Sequence, residues 1–115
     1  MAFSEFEIKR REKAIEKFMA KHRPPAHIRN KLDFGSRIEN QSVEIFEIRP
    51  QWNNPSNKME AAVAKALYVK TQNHWKIFWQ RSDLKWHSYE PLPTVTRLED
   101  FLKAVGEDQY HCFFG

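Results

Sequence analysis

The sequence predicts an α+β fold: an antiparallel meander sheet of four to five strands with an N-terminal and a C-terminal helix packed on it. Three observations carry this. A helix-start signature lies near each end of the chain, the apolar period between them is that of strands, and turn residues break the alternation at hairpin intervals. The 115 residues suit a single domain, 1–115, because domains cluster at about 100–150 residues.

The first helix is expected over 5–21. Ser4 and Glu7 have the spacing of a capping box, with Phe3 and Ile8 placed as a hydrophobic staple. Pro24-Pro25 must end the helix, since proline lacks the N–H that continues it. Ile8, Ile15, Phe18, Met19 and His22 form its apolar stripe; Glu5–Lys9 and Glu7–Arg11 are spaced as i,i+4 ion pairs. Residues 24–31 suit a short turn of helix.

The period then changes. LDFGSRIE and SVEIFEIR flank Asn40-Gln41, and asparagine tolerates the left-handed conformation of a tight hairpin, which sets Ile38 opposite Val43 and Arg37 opposite Glu44. Pro50 is expected to stop the second strand, and PQWNNPSNK (50–58) reads as a long loop. AAVAKALYVK (61–70) has alanines that favour helix, but Tyr68 and Val69 and the short connection into WKIFWQ argue for a strand. LKWHSYE (84–90) follows through a turn at Ser82-Asp83 and ends at Pro91 and Pro93. A second capping box, Thr96 with Glu99, opens a helix whose apolar residues are Leu98, Phe101, Leu102 and Val105, with Gly106 at the stop. The terminal YHCFFG is apolar enough to dock on the core.

Charge and cysteine content narrow the classes. The net charge is +4, but residues 1–31 hold nine Lys/Arg against four acids and residues 97–115 two against four. Such asymmetry suits an anionic partner. Cys112 stands alone, so no intrachain disulfide forms and a reducing compartment is expected. The opening MAFSEFEIKRREK puts charges where a signal peptide needs an apolar run, and no stretch approaches the roughly 18 apolar residues of a membrane span. A soluble, cytoplasmic protein with no membrane contact is expected.

WKIFWQRSDLKWHSYE (75–90) interleaves aromatics with Lys76, Arg81 and Lys85. Turns centred on 72–73 and 82–83 place Ala64, Ala66, Tyr68, Ile77, Trp79 and Trp86 on one face, read as core. The other face then carries Lys65, Lys76, Phe78, Lys85, His87 and Tyr89. Aromatics among cations on a sheet are a platform for single-stranded bases. Apolar residues of that face would equally pack on a helix or a second subunit, with the lysines snorkelling outward. On the first helix Arg10, Lys13, Lys17 and Lys21 share a side, which suits a phosphate-facing stripe or a solvated face.

Catalytic signals are sparse. Asp83-Leu84-Lys85 matches the acid-x-lysine half of a metal-dependent nuclease pattern, with Glu44, Glu47 or Glu60 as a second carboxylate, but Asp83 also suits its turn. Asp33-Phe34-Gly35 lacks the glycine-rich and catalytic loops of a kinase. The five histidines and Cys112 have no metal-ligand spacing. No catalytic residue, metal or cofactor is assigned.

SVEIFEIRPQW (42–52), AKALYVK (64–70), WKIFWQRSDLKWHSYEPLP (75–93) and CFFG (112–115) resemble a family of short bacterial proteins catalogued as an uncharacterised domain of unknown function. Glycine is usual in that family where this chain has Asn40. The resemblance implies a bacterial cytosolic protein and supplies no activity. The resulting expectation is a non-catalytic binding module using Lys65, Lys76, Phe78, Lys85, His87 and Tyr89. Single-stranded nucleic acid is its first candidate partner. A protein surface, including a homo-oligomer, is the second, and a metal-dependent nuclease the third.

Overall fold

The computed structural model describes residues 3–110, 112 and 113. Helix α1 spans Glu5–His22 and is closed by the expected box: the Ser4 hydroxyl accepts from the Glu7 N–H, and the Glu7 carboxylate accepts from the Ser4 N–H. The Ser4 N–H first, and then the Ser4 side chain, hold the Glu7 carboxyl below its usual range. Among the described residues neither expected i,i+4 pair closes into a salt bridge. Arg11 lies instead over the rings of Phe3 and Trp75, 5.4 and 5.2 Å from their centroids. Turns follow over 26–31, and Arg23 grips Asp33 through two hydrogen bonds of 2.8 and 2.7 Å, tying the end of α1 to the start of the sheet.

The sheet has strand order β1-β2-β3-β4-β5, formed by Asp33–Glu39, Ser42–Gln51, Asn54–Val69, His74–Gln80 and Trp86–Ser88. A short β6, Thr94–Val95, pairs with β4 beyond β5 and was not expected. The first hairpin has the expected register, Ile38 facing Val43 and Arg37 facing Glu44, with Asn40 left-handed at φ 51°. Helix α2, Leu98–Glu107, closes the fold, so the α+β meander with a helix at each end stands.

Local expectations are corrected at three places. The 50–58 loop is a hairpin: β2 continues through Pro50 to Gln51, β3 begins at Asn54, and the turn is two residues long. Pro50 is tolerated because β1 stops pairing at Ile48, which leaves β2 an edge strand there. The Thr96–Glu99 box does not form. Val95 is held extended against Trp75, so the cap falls on Arg97, which makes no side-chain cap bond. Gly106 lies inside the last turn of α2, and Asp108 takes the left-handed stop at φ 42°. At the C-terminus Phe113 docks on Tyr89, ring centroids 4.7 Å apart, while Tyr110 is exposed; His111, Phe114 and Gly115 lie outside the described residues.

Both helices pack on one face of the sheet. Val43, Ile45, Ala64, Ala66, Trp75 and Ile77 meet Ile15 and Phe18 of α1 and Leu98, Phe101, Leu102 and Val105 of α2. The alanines on β3 let the helices approach closely, which is what close packing requires. Among the described residues the opposite face carries no helix.

Candidate functional site

The face that matters is set by two hairpin registers, and they depart from expectation differently. β3 and β4 pair with Ala64 opposite Trp79 and Lys65 opposite Phe78, two residues away from the expected alignment. A two-residue slip keeps every side chain on its face. Lys65, Lys76 and Phe78 therefore stand together on the open face.

β4 and β5 pair with Phe78 opposite Ser88, Trp79 opposite His87 and Gln80 opposite Trp86, a slip of one. One residue inverts the strand. Trp86 turns onto the open face, where the Lys65 ammonium sits 5.7 Å from its ring centroid. His87 turns to the Trp79 side. Tyr89, only 3% exposed, is part of the core, and burial raises its hydroxyl above the usual phenol range. Lys85 stays exposed in the connecting turn.

The cause lies in that turn. The Asp83 carboxylate accepts from the Lys85 N–H at 3.0 Å, and Leu84 donates to the Arg81 carbonyl at 2.8 Å in a left-handed conformation, φ 62°. The loop is thereby one residue longer than an ordinary two-residue turn. Asp83 also pairs with His87 Nε2 at 2.9 Å. The Lys85 N–H first, then His87, hold its carboxyl below the usual range.

The site is thus Phe78 and Trp86, half-buried and diagonal to one another across β4 and β5 on one face, with Lys65 opposite Phe78 and Lys76 two residues along β4. Trp86 was missed by sequence because its phase follows Leu84, a residue that rarely turns left-handed. Across β1 and β2 the same face is closed by its own ion pair, Arg37 to Glu60 at 2.7 Å, with Arg37 also over the Phe46 ring.

A family model matches residues 3–115, its description being Domain of unknown function (DUF3024). The chain belongs to that family. Membership extends the likeness of the central strands over the N-terminal helix as well. No curated protein and no solved structure matches the chain.

In this member of the DUF3024 family the stripe on α1 borders a cleft of about 500 Å³ against α2. Arg10, Lys13, Lys17 and Lys21 line it, facing Lys103, Glu99 and Glu107, above a floor that includes Phe18 and Leu102. Among the described residues none of those four cations is in a salt bridge. Of the nuclease-like residues, Asp83 is engaged by His87, Glu60 by Arg37 and Glu47 by Arg49. No group of three or more His, Cys, Asp or Glu able to hold a metal occurs among the described residues, and no helix is long and apolar enough to cross a membrane.

Proposed function

We propose that this protein is a non-catalytic module whose open sheet face binds single-stranded nucleic acid. The observation that supports the reading is the neighbourhood of Phe78 and Trp86 on an uncovered face, with an ammonium group already seated over the indole. Bases stack on exposed aromatics without regard to sequence, worth about 1–3 kcal/mol each, and lysines beside them neutralise phosphates. Lys65 and Lys76 fill that second role.

The test is titration of labelled single-stranded DNA and RNA at low salt, read by quenching of indole fluorescence. Trp86→Ala and Phe78→Ala should each weaken binding roughly 5- to 100-fold, the equivalent of one lost stack. Lys65→Glu with Lys76→Glu should also flatten the salt dependence, by about 0.7 in slope per lost phosphate contact. Absence of binding would sink the reading. So would binding that ignores the sheet variants but vanishes in Lys13→Glu/Lys17→Glu, which would move the site to the α1–α2 cleft. An apolar protein contact on the open face would instead respond little to salt.

A further inference from the structure

We infer that the protein forms a two-fold dimer by pairing the free edge of β3 with the same edge of a second copy, centred on Met59. This does not rest on the reading of the open face.

β2 lines β3 on one side from Asn54 to Leu67, but β4 lines the other side only from Ala64 to Val69. β4 stops pairing at Trp79, opposite Ala64, and Val63, 4% exposed, is the extra residue of a bulge against β2 that ends the regular edge there. Pro55 has no N–H to offer at the other end. The usable edge is therefore 56–62, and its midpoint is Met59. Residues 54–61 are all exposed, Met59 by 49%.

β1 has also left this region, since its last pair with β2 is Asp33 with Ile48. What projects is a two-stranded ribbon, a form only marginally stable in water when alone. A bare edge recruits other strands unless guarded, and one guard is charge that repels a copy of itself. Here the centre reads Lys58-Met59-Glu60. In antiparallel pairing about Met59, Lys58 faces the second copy's Glu60, Glu60 faces its Lys58, and the two Met59 side chains meet. Directly opposed residues have β-carbons about 4.5–5.5 Å apart and lie on one side of the sheet. Within one chain Glu60 is held by Arg37 at 2.7 Å and Lys58 by the Asn30 carbonyl at 2.8 Å, both exposed contacts. Pairing exchanges them for two ion pairs between the copies. The edge is complementary to itself. A two-fold axis perpendicular to the sheet also brings both open faces to the same side.

Light scattering after size exclusion, across a range of concentrations, tests this with wild type and charge variants, each checked for fold by circular dichroism. Wild type should run at twice the 13.8 kDa chain mass. Lys58→Glu alone and Glu60→Lys alone should each dissociate at least tenfold more readily, because like charges then oppose twice. An equimolar mixture of those two variants should recover the dimer, since one chain brings two carboxylates and the other two ammonium groups. The double exchange Lys58→Glu/Glu60→Lys should dimerise again on its own. A wild type monomeric at every concentration overturns the inference, as do single variants that dimerise like wild type or a mixture that stays monomeric.

Discussion

Gly35 and Phe46 face each other across β1 and β2 so closely that a β-carbon on Gly35 would stand 2.5 Å from the ring's Cε2 and 2.7 Å from Cζ. The ring is held from above by Arg37, whose guanidinium carbon lies 4.9 Å from its centroid. This is how Phe46 comes to be 6% exposed on a face that no helix covers. Glycine here supplies space for an aromatic cover. Gly35→Ala should therefore destabilise by about 1–3 kcal/mol, the range for overpacking, in urea unfolding. Adding Phe46→Leu should make the combined loss smaller than the sum of the two. An unchanged midpoint for Gly35→Ala would mean that the ring swings aside freely and the lock does not exist.

The phase of β5 makes an ordering prediction. Tyr89 is enclosed with Phe113, whereas Trp86 is half-buried on the open face. Tyr89→Ala should cost about 3–5 kcal/mol, as deletion of a buried aromatic does. Trp86→Ala should cost less, by about 2 kcal/mol or more, although indole is the larger ring. Chemical denaturation of both variants decides it. The reverse order would restore the inward tryptophan that simple alternation predicts.

That comparison shows what was legible and what was not. The Ser4–Glu7 box and the Asn40-Gln41 turn are local chemistry, and each formed where its residues stand. The faces of β3 and β4 survived a wrong register because the error was two residues. His87, Tyr89 and Trp86 were assigned to the wrong sides because one left-handed leucine, which nothing in its side chain announces, adds a residue to the turn. The 50–58 segment reads as a loop since Pro, Asn and Ser dominate it, yet pairing of β2 with β3 overrides that composition. Thr96 fails as a cap for the same kind of reason: β6 holds the chain extended one residue too far.

Leu84 carries its own test. It is 77% exposed, so its side chain contributes little packing, and its left-handed backbone costs a residue with a β-carbon roughly 1–2 kcal/mol. Glycine takes that conformation without the clash but loses more freedom on folding. Leu84→Gly should thus stabilise by about 0.5–1 kcal/mol in thermal or urea unfolding, leaving the sheet unchanged. A destabilised variant would show that Leu84 makes a contact outweighing its strain, and the account of the turn would fail with it.

The last prediction concerns His22, which stacks 4.6 Å from the Phe18 ring and lies against Gly106, where a β-carbon would stand 2.6 Å from Nε2. Burial, and then the Lys21 charge, push its pKa below the ordinary 6.5. Lys103 and Glu107 of α2 line the same cleft. The sign follows from linkage. In the window between the depressed folded value and 6.5, the unfolded chain binds a proton that the folded chain does not, so stability falls as pH drops through it. Carboxyls held low by partners act elsewhere: Asp33 beside Arg23 keeps its stabilisation above about 3.8 and Glu7 above about 4.5, losing it only on further acidification. Wild type should lose stability between pH 7 and 5, and His22→Gln should remove part of that slope while changing little above pH 7.5. Parallel slopes for the two proteins would place the imidazole in water and deny its packing against Gly106.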